Sequence, residues 1–235
     1  MSAEDEKIKY AIKHTEVLRS PKQTLSAFGA TNIYYYLVTE PSYIELVEED
    51  RETKETVVRE GRVIAERPRV VTPSYLINID GFSEPARRYM EMAIREHGPH
   101  TPGLFYSYKN EPGELTIASS DLHSVVHKLI EKLDKEESSL TTIIRGVDDL
   151  WDVSLLKFIF EMTRSSLGSN IFEMGRKGLL DIDQGGVPRD ARMAIEQLFD
   201  QVMRGDLDPS DLKLELDRWC LFAEYEDRFL RLFKR

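Results

Sequence analysis

The chain changes texture near residue 119. The residues before it read as short strands and turns, crowded with tyrosine; those after it read as capped amphipathic helices. Nine of the ten tyrosines precede the switch: Tyr10, Tyr34, Tyr35, Tyr36, Tyr43, Tyr75, Tyr89, Tyr106 and Tyr108. Both tryptophans, Trp151 and Trp219, follow it. Segregated strand and helix signals point to an α+β fold rather than an alternating α/β one. The expectation is a small antiparallel or mixed sheet from the N-terminal half, packed with a C-terminal multi-helix array. That removes the doubly wound nucleotide-binding sheets, whose function can be read from one loop.

No long linker interrupts the switch. A strand-rich lobe over 1–118 and a helical lobe over 119–235 are therefore expected to form one compact unit, or two lobes sharing an interface, rather than two independent domains. A chain of 235 residues is long enough for a substantial core. No apolar run approaches the ~20 residues that span a bilayer. The polar, acidic start shows no signal peptide. The single cysteine, Cys220, excludes an internal disulfide. Together these features predict a reducing, cytoplasmic setting.

The net charge is -10. Residues 1–118 carry 15 basic and 19 acidic side chains, and 119–235 carry 17 and 23, so the halves contribute -4 and -6. A broadly acidic surface disfavours nucleic acid and anionic membrane, which both reward a basic face.

Local signals predict a helix over 4–18 ended by Pro21, a strand over 33–39 and a further short strand over 42–47. A charged loop follows over 48–55. The paired valines of 56–73 suggest a hairpin around Glu60-Gly61. Ser83 and Pro85 open a helix of about 13 residues that Gly98 closes. Asn110-Glu111-Pro112-Gly113 suggests a second hairpin. In the helical half, helices are expected from 119–120, over 140–145, from 148–149 to about 167, over 190–204, after Asp208-Pro209, and at the C-terminus. The helix ending near 167 is apolar around most of its circumference and should be central and buried.

Several groups could carry chemistry. His123 and His127, four apart on a helix, could share a metal, with His97 and His100 as further ligands. The zincin pattern needs glutamate after the first histidine, and Ser124 stands there, so two partly exposed histidines beside a core stripe are the plainer reading. Arg59, Arg62, Arg67 and Arg69 form the densest arginine cluster. With Tyr34 and Tyr36 they could clamp a carboxylate or phosphate; edge-strand charge that blocks aggregation explains them equally simply. Asp181, Asp183, Gly185 and Gly186 resemble a calcium loop, but Arg192 occupies the clamping position. The same glycines, with Arg189, could present amides to an anion. Cys220, between Trp219 and Leu221, reads as a buried structural thiol. The C-terminal segment from Leu221 could be a core helix or could dock in a partner groove.

No nucleophile elbow, P-loop or dinucleotide fingerprint is present, and no cofactor is implied. The leading expectation is a non-enzymatic cytoplasmic interaction protein that self-associates, with a protein partner or a homo-oligomer. The alternative is a small-molecule-binding or metal-dependent enzyme with its pocket where sheet meets helices. Whether the chain is an enzyme stays open at this level.

Overall fold

The computed structural model describes residues 3–42, 54–79, 91–92 and 94–233. The fold is α+β. Within it the chain forms two compact units, residues 1–67 with 106–170, and residues 68–105 with 171–235. The change of texture at residue 119 falls within the first.

The first unit is a five-stranded mixed sheet in the order β1-β7-β2-β3-β6. Its strands are β1 (Glu16–Arg19), β2 (Thr31–Thr39), β3 (Thr56–Ala65), β6 (Tyr108–Ala118) and β7 (Thr141–Arg145). β2 runs parallel to β7; the other pairs are antiparallel. Strand side chains alternate between faces. Ile33, Tyr35, Leu37, Val63 and Ala65 form one face, covered by Leu155, Phe158, Ile159 and Met162 of α4 (Trp151–Arg176). Val38, Val58 and Ile143 form the other, covered by Val125, Val126 and Leu133 of α3 (Leu122–Lys135). α1 (Ala3–His14) precedes the sheet.

Several sequence expectations are corrected here. Residues 140–145 are not helical. Thr141, Thr142, Ile143 and Ile144 are all β-branched and all buried in a sheet covered on both sides. Such a strand shows no alternation, so periodicity cannot tell it from a helix. The first helix stops at His14 rather than near residue 18. The Thr15 hydroxyl donates to Ala11 O and is hydrogen-bonded to the Ser154 hydroxyl, and the chain then pairs with β7.

Neither expected hairpin forms. β3 runs straight through Glu60-Gly61, and β6 runs through Asn110–Gly113. Gly61 is there because the Tyr35 ring lies against it, where a Cβ would overlap that ring. The Pro-Gly pair is absorbed as an edge irregularity, since β6 skips two residues opposite Glu60. α4 does not stop at Gly168 but continues to Arg176. It also keeps Leu156 and Phe160 exposed, where a central buried helix was expected. Cys220 is exposed, not buried. It takes the left-handed conformation (φ 57°) that follows a helix end, so its neighbours Trp219 and Leu221 turn inward and it turns out.

The second unit pairs two short strands, β4 (Arg69–Val71) and β5 (Gly103–Phe105). α2 (Pro73–Leu76), α5 (Arg189–Arg204), α6 (Pro209–Arg218) and α7 (Phe222–Arg231) complete it. Val71, Tyr75, Ile195, Phe199, Leu212, Leu216, Trp219 and Phe229 form its core. α7 is thus a core helix. Asp208 caps α6 through the Ser210 amide, with Pro209 in the first turn, as its sequence signal requires. Asp208→Ala is expected to lower stability by about 1 kcal/mol in urea unfolding.

Residues 94–97 are helical, and Gly98 follows with φ 90°. Apart from Ser42, the expected strand over 42–47 lies outside the described residues, as do most of the charged loop and the Ser83 start of the helix before Gly98.

Candidate interaction face

β6 is the outer strand of the sheet, and among the described residues no strand pairs with its far side. Its two halves differ. The first carries Lys109, Glu111, Pro112 and the irregularity at residues 113–114, all features that discourage a further strand. The second, residues 114–118, carries Glu114 at its start but no lysine or proline. Leu115 is 57 % exposed and Ile117 54 %.

Directly opposed residues of an antiparallel pair share a face. Leu115 opposes Arg59, whose guanidinium lies 5.7 Å from the Trp151 ring centre. Leu115 and Ile117 therefore stand on the α4 side of the sheet. α4 itself is oriented by hydrogen bonds along both flanks. On one, Ser154 and Lys157 reach Thr15. On the other, Thr163 bonds the Tyr108 hydroxyl and Asn170 donates to the Tyr106 hydroxyl. Leu156, Phe160 and Leu167 lie within about 40° of one another on the helix, just outside the Thr163–Asn170 flank. They therefore run along the β6 side of the unit. Leu156 is 64 % exposed and Phe160 68 %. Summed over Leu115, Ile117, Leu156, Phe160 and Leu167, the exposed surface is on the order of 500 Å².

The start of α4 is pinned by a polar cluster. Asp148 Oδ1 accepts from Thr39 Oγ1 and Arg59 Nη1, both at 2.8 Å, and Oδ2 accepts from the Ser42 amide at 3.1 Å. Burial pushes this carboxyl up, but the three hydrogen bonds and the Arg59 charge outweigh it, so it titrates below the usual range.

The sequence-named ligand groups are only partly gathered. Tyr34, Tyr36 and Arg62 share the α3 side, with Tyr34 opposite Arg62. Lys132 Nζ lies 3.5 Å from the Tyr36 hydroxyl. Arg62 pairs with Glu111, whose carboxyl is held down at about 2 by Lys109 and Arg62. Arg59 stands on the opposite face and is engaged with Asp148. Arg67 ends the first stretch of the first unit, and Arg69 belongs to the second, paired with Glu215 at 3.7 Å. Sequence proximity grouped four arginines that strand alternation and the unit boundary divide.

His123 and His127 are both exposed on α3, and His127 Nδ1 lies 3.5 Å from Glu131. His97 and His100 belong to the second unit. Among the described residues no set of three His, Cys, Asp or Glu side chains is placed to hold a metal ion.

In the second unit, the Asp183 carboxylate already accepts the Gly185 and Val187 amides. The Gly186 amide donates to the Asp183 main-chain carbonyl, so both glycine amides considered for an anion are already occupied by Asp183. Asp183 also holds Arg192, which bonds Glu224 in turn. Beside β4, a depression of about 10 Å³ is lined by Arg69, Tyr75, Asp190, Glu215 and Trp219. It has room for about one water, far below the volume of a small-molecule site.

The open strand and the apolar helix flank were missed from sequence. The signal that could have found the flank is the 4-then-7 spacing of Leu156, Phe160 and Leu167, which reads as core until the sheet is known to occupy another side. Among the described residues no helix is long and apolar enough to cross a membrane. Compared with family models, curated proteins and solved structures, the chain matches none of them.

Proposed function

We propose that this chain is a non-enzymatic interaction protein that self-associates through the β6–α4 flank of its first unit. The observation that carries this reading is a strand edge that no described strand pairs with, together with an exposed apolar flank of α4 on the same side of the sheet. Exposed apolar residues scattered singly need no explanation, but a patch of this extent marks a contact surface. The acidic balance favours a protein partner over nucleic acid or membrane. A lone, exposed cysteine fits a reducing compartment, and we place the protein in the cytoplasm.

Light scattering on the purified full chain tests this reading. Wild type should sediment or elute above monomer mass at tens of micromolar. Phe160→Glu should weaken association at least 10-fold while moving stability by less than about 0.5 kcal/mol, because the side chain is exposed. Association unchanged by Phe160→Glu would count against the flank.

A further inference from the structure

Resting on that reading, the geometry points to a specific occupant: a second copy of this chain, paired antiparallel along residues 114–118 of β6 about a two-fold axis at Thr116. The joined sheet would then have ten strands.

Four considerations select this arrangement. First, β6 is the longer open edge. β1, at the other edge, has four residues, a register shift between Val17 and Arg19, and an Arg19 side chain tied to Thr141 O and Ser138 O. Second, only the stretch from the end of the 113–114 irregularity is free of proline and lysine, so pairing is confined to residues 115–118 with Glu114 at the margin, still an ordinary strand length. Third, a two-fold axis perpendicular to the sheet keeps each face on its own side, so it must pass through a residue. Centred on Thr116, it sets Leu115 opposite the partner's Ile117 twice and Glu114 opposite the partner's Ala118. Centred on residue 114, it would oppose two glutamates. Centred on residue 115 or 117, it would leave one apolar side chain opposite Gly113 or Ser119. Thr116 is the one centre that matches both apolar residues and opposes no like charges. Fourth, the strand edge and the apolar flank come to on the order of 600 Å² per protomer, somewhat under the ~800 Å² of a standard interface. An interface of this size fits a weak, reversible dimer.

Disulfide trapping in the full chain, with Cys220→Ser as background, reads the register directly. Opposed residues in antiparallel strands have Cα atoms ~4.5–5.5 Å apart, within the range a disulfide spans. Under mild oxidation, Thr116→Cys should form covalent dimer at least 10-fold faster than Leu115→Cys or Ile117→Cys alone. A mixture of Leu115→Cys and Ile117→Cys should recover fast cross-linking. Ile117→Lys, which places a charge at the pairing edge, should weaken association at least 10-fold. Equal trapping at all three positions, or faster trapping at 115 or 117 alone, overturns this register. If light scattering still shows a dimer lost in Phe160→Glu, self-association through the flank stands without it. A chain monomeric to several hundred micromolar overturns both.

Discussion

Gly61→Val is expected to destabilise the first unit by about 3 kcal/mol, because β-branched bulk would be driven into the fully buried Tyr35 ring. The ring cannot swing away: it is packed in the α4-side core, and its hydroxyl donates to Asn110 Oδ1 at 3.2 Å. Burial also raises the Tyr35 phenol's pKa, against the opposing effect of the Asn110 bond. Tyr35→Ala alone should cost a similar amount, about 3–5 kcal/mol, by opening a cavity. The double variant should cost at least about 1 kcal/mol less than the sum, since each change relieves the other's defect. Hydrogen exchange of the β2 and β3 amides gives the local free energy. Additive costs would mean that Gly61 is glycine for some reason other than Tyr35.

Arg59→Ala should be comparably severe, at about 3 kcal/mol, because it leaves a mostly buried Asp148 carboxylate without its cation. Asp148 joins the end of β2, the start of α4 and the middle of β3, so its loss loosens the frame that presents the helix flank. The pH dependence has a definite sign. The folded-state pKa of Asp148 lies below its unfolded value of ~3.9. Its contribution is therefore complete above about pH 4 and is lost as pH falls through the depressed folded value. Wild type should lose stability steeply in acid, and Asp148→Asn should show a flatter acid limb from a lower plateau. An acid limb unchanged by Asp148→Asn would assign the acid sensitivity to other carboxylates.

The α+β class was legible from composition alone, because strand-forming tyrosines and helix caps are segregated along the chain. A cap was also legible at its own position: Asp208-Pro209 specifies a helix start with a local hydrogen bond, whereas the helix expected from 119–120 is capped by Asp121 and starts at Leu122. Residues whose role depends on distant partners were not. Thr141–Arg145 lies in the middle of the sheet, and nothing within five residues distinguishes a doubly covered strand from a short buried helix. Gly61 and the Pro112-Gly113 pair carry turn chemistry, but Tyr35 and the neighbouring strand dictate their use. The candidate face was hidden for the same reason. Leu156 and Phe160 look like core in sequence, and only the position of the sheet relative to α4 leaves them outside. His123 and His127, whose spacing drew attention, are surface residues of α3.

Sedimentation equilibrium on the 235-residue chain, from about 1 to 200 μM, is the most direct test of self-association through this flank. The expected result is a reversible rise from 27.2 kDa towards twice that mass, with the rise shifted to at least 10-fold higher concentration by Phe160→Glu and by Ile117→Lys. A constant 27.2 kDa across the range, or a dimer that both substitutions leave intact, would contradict it.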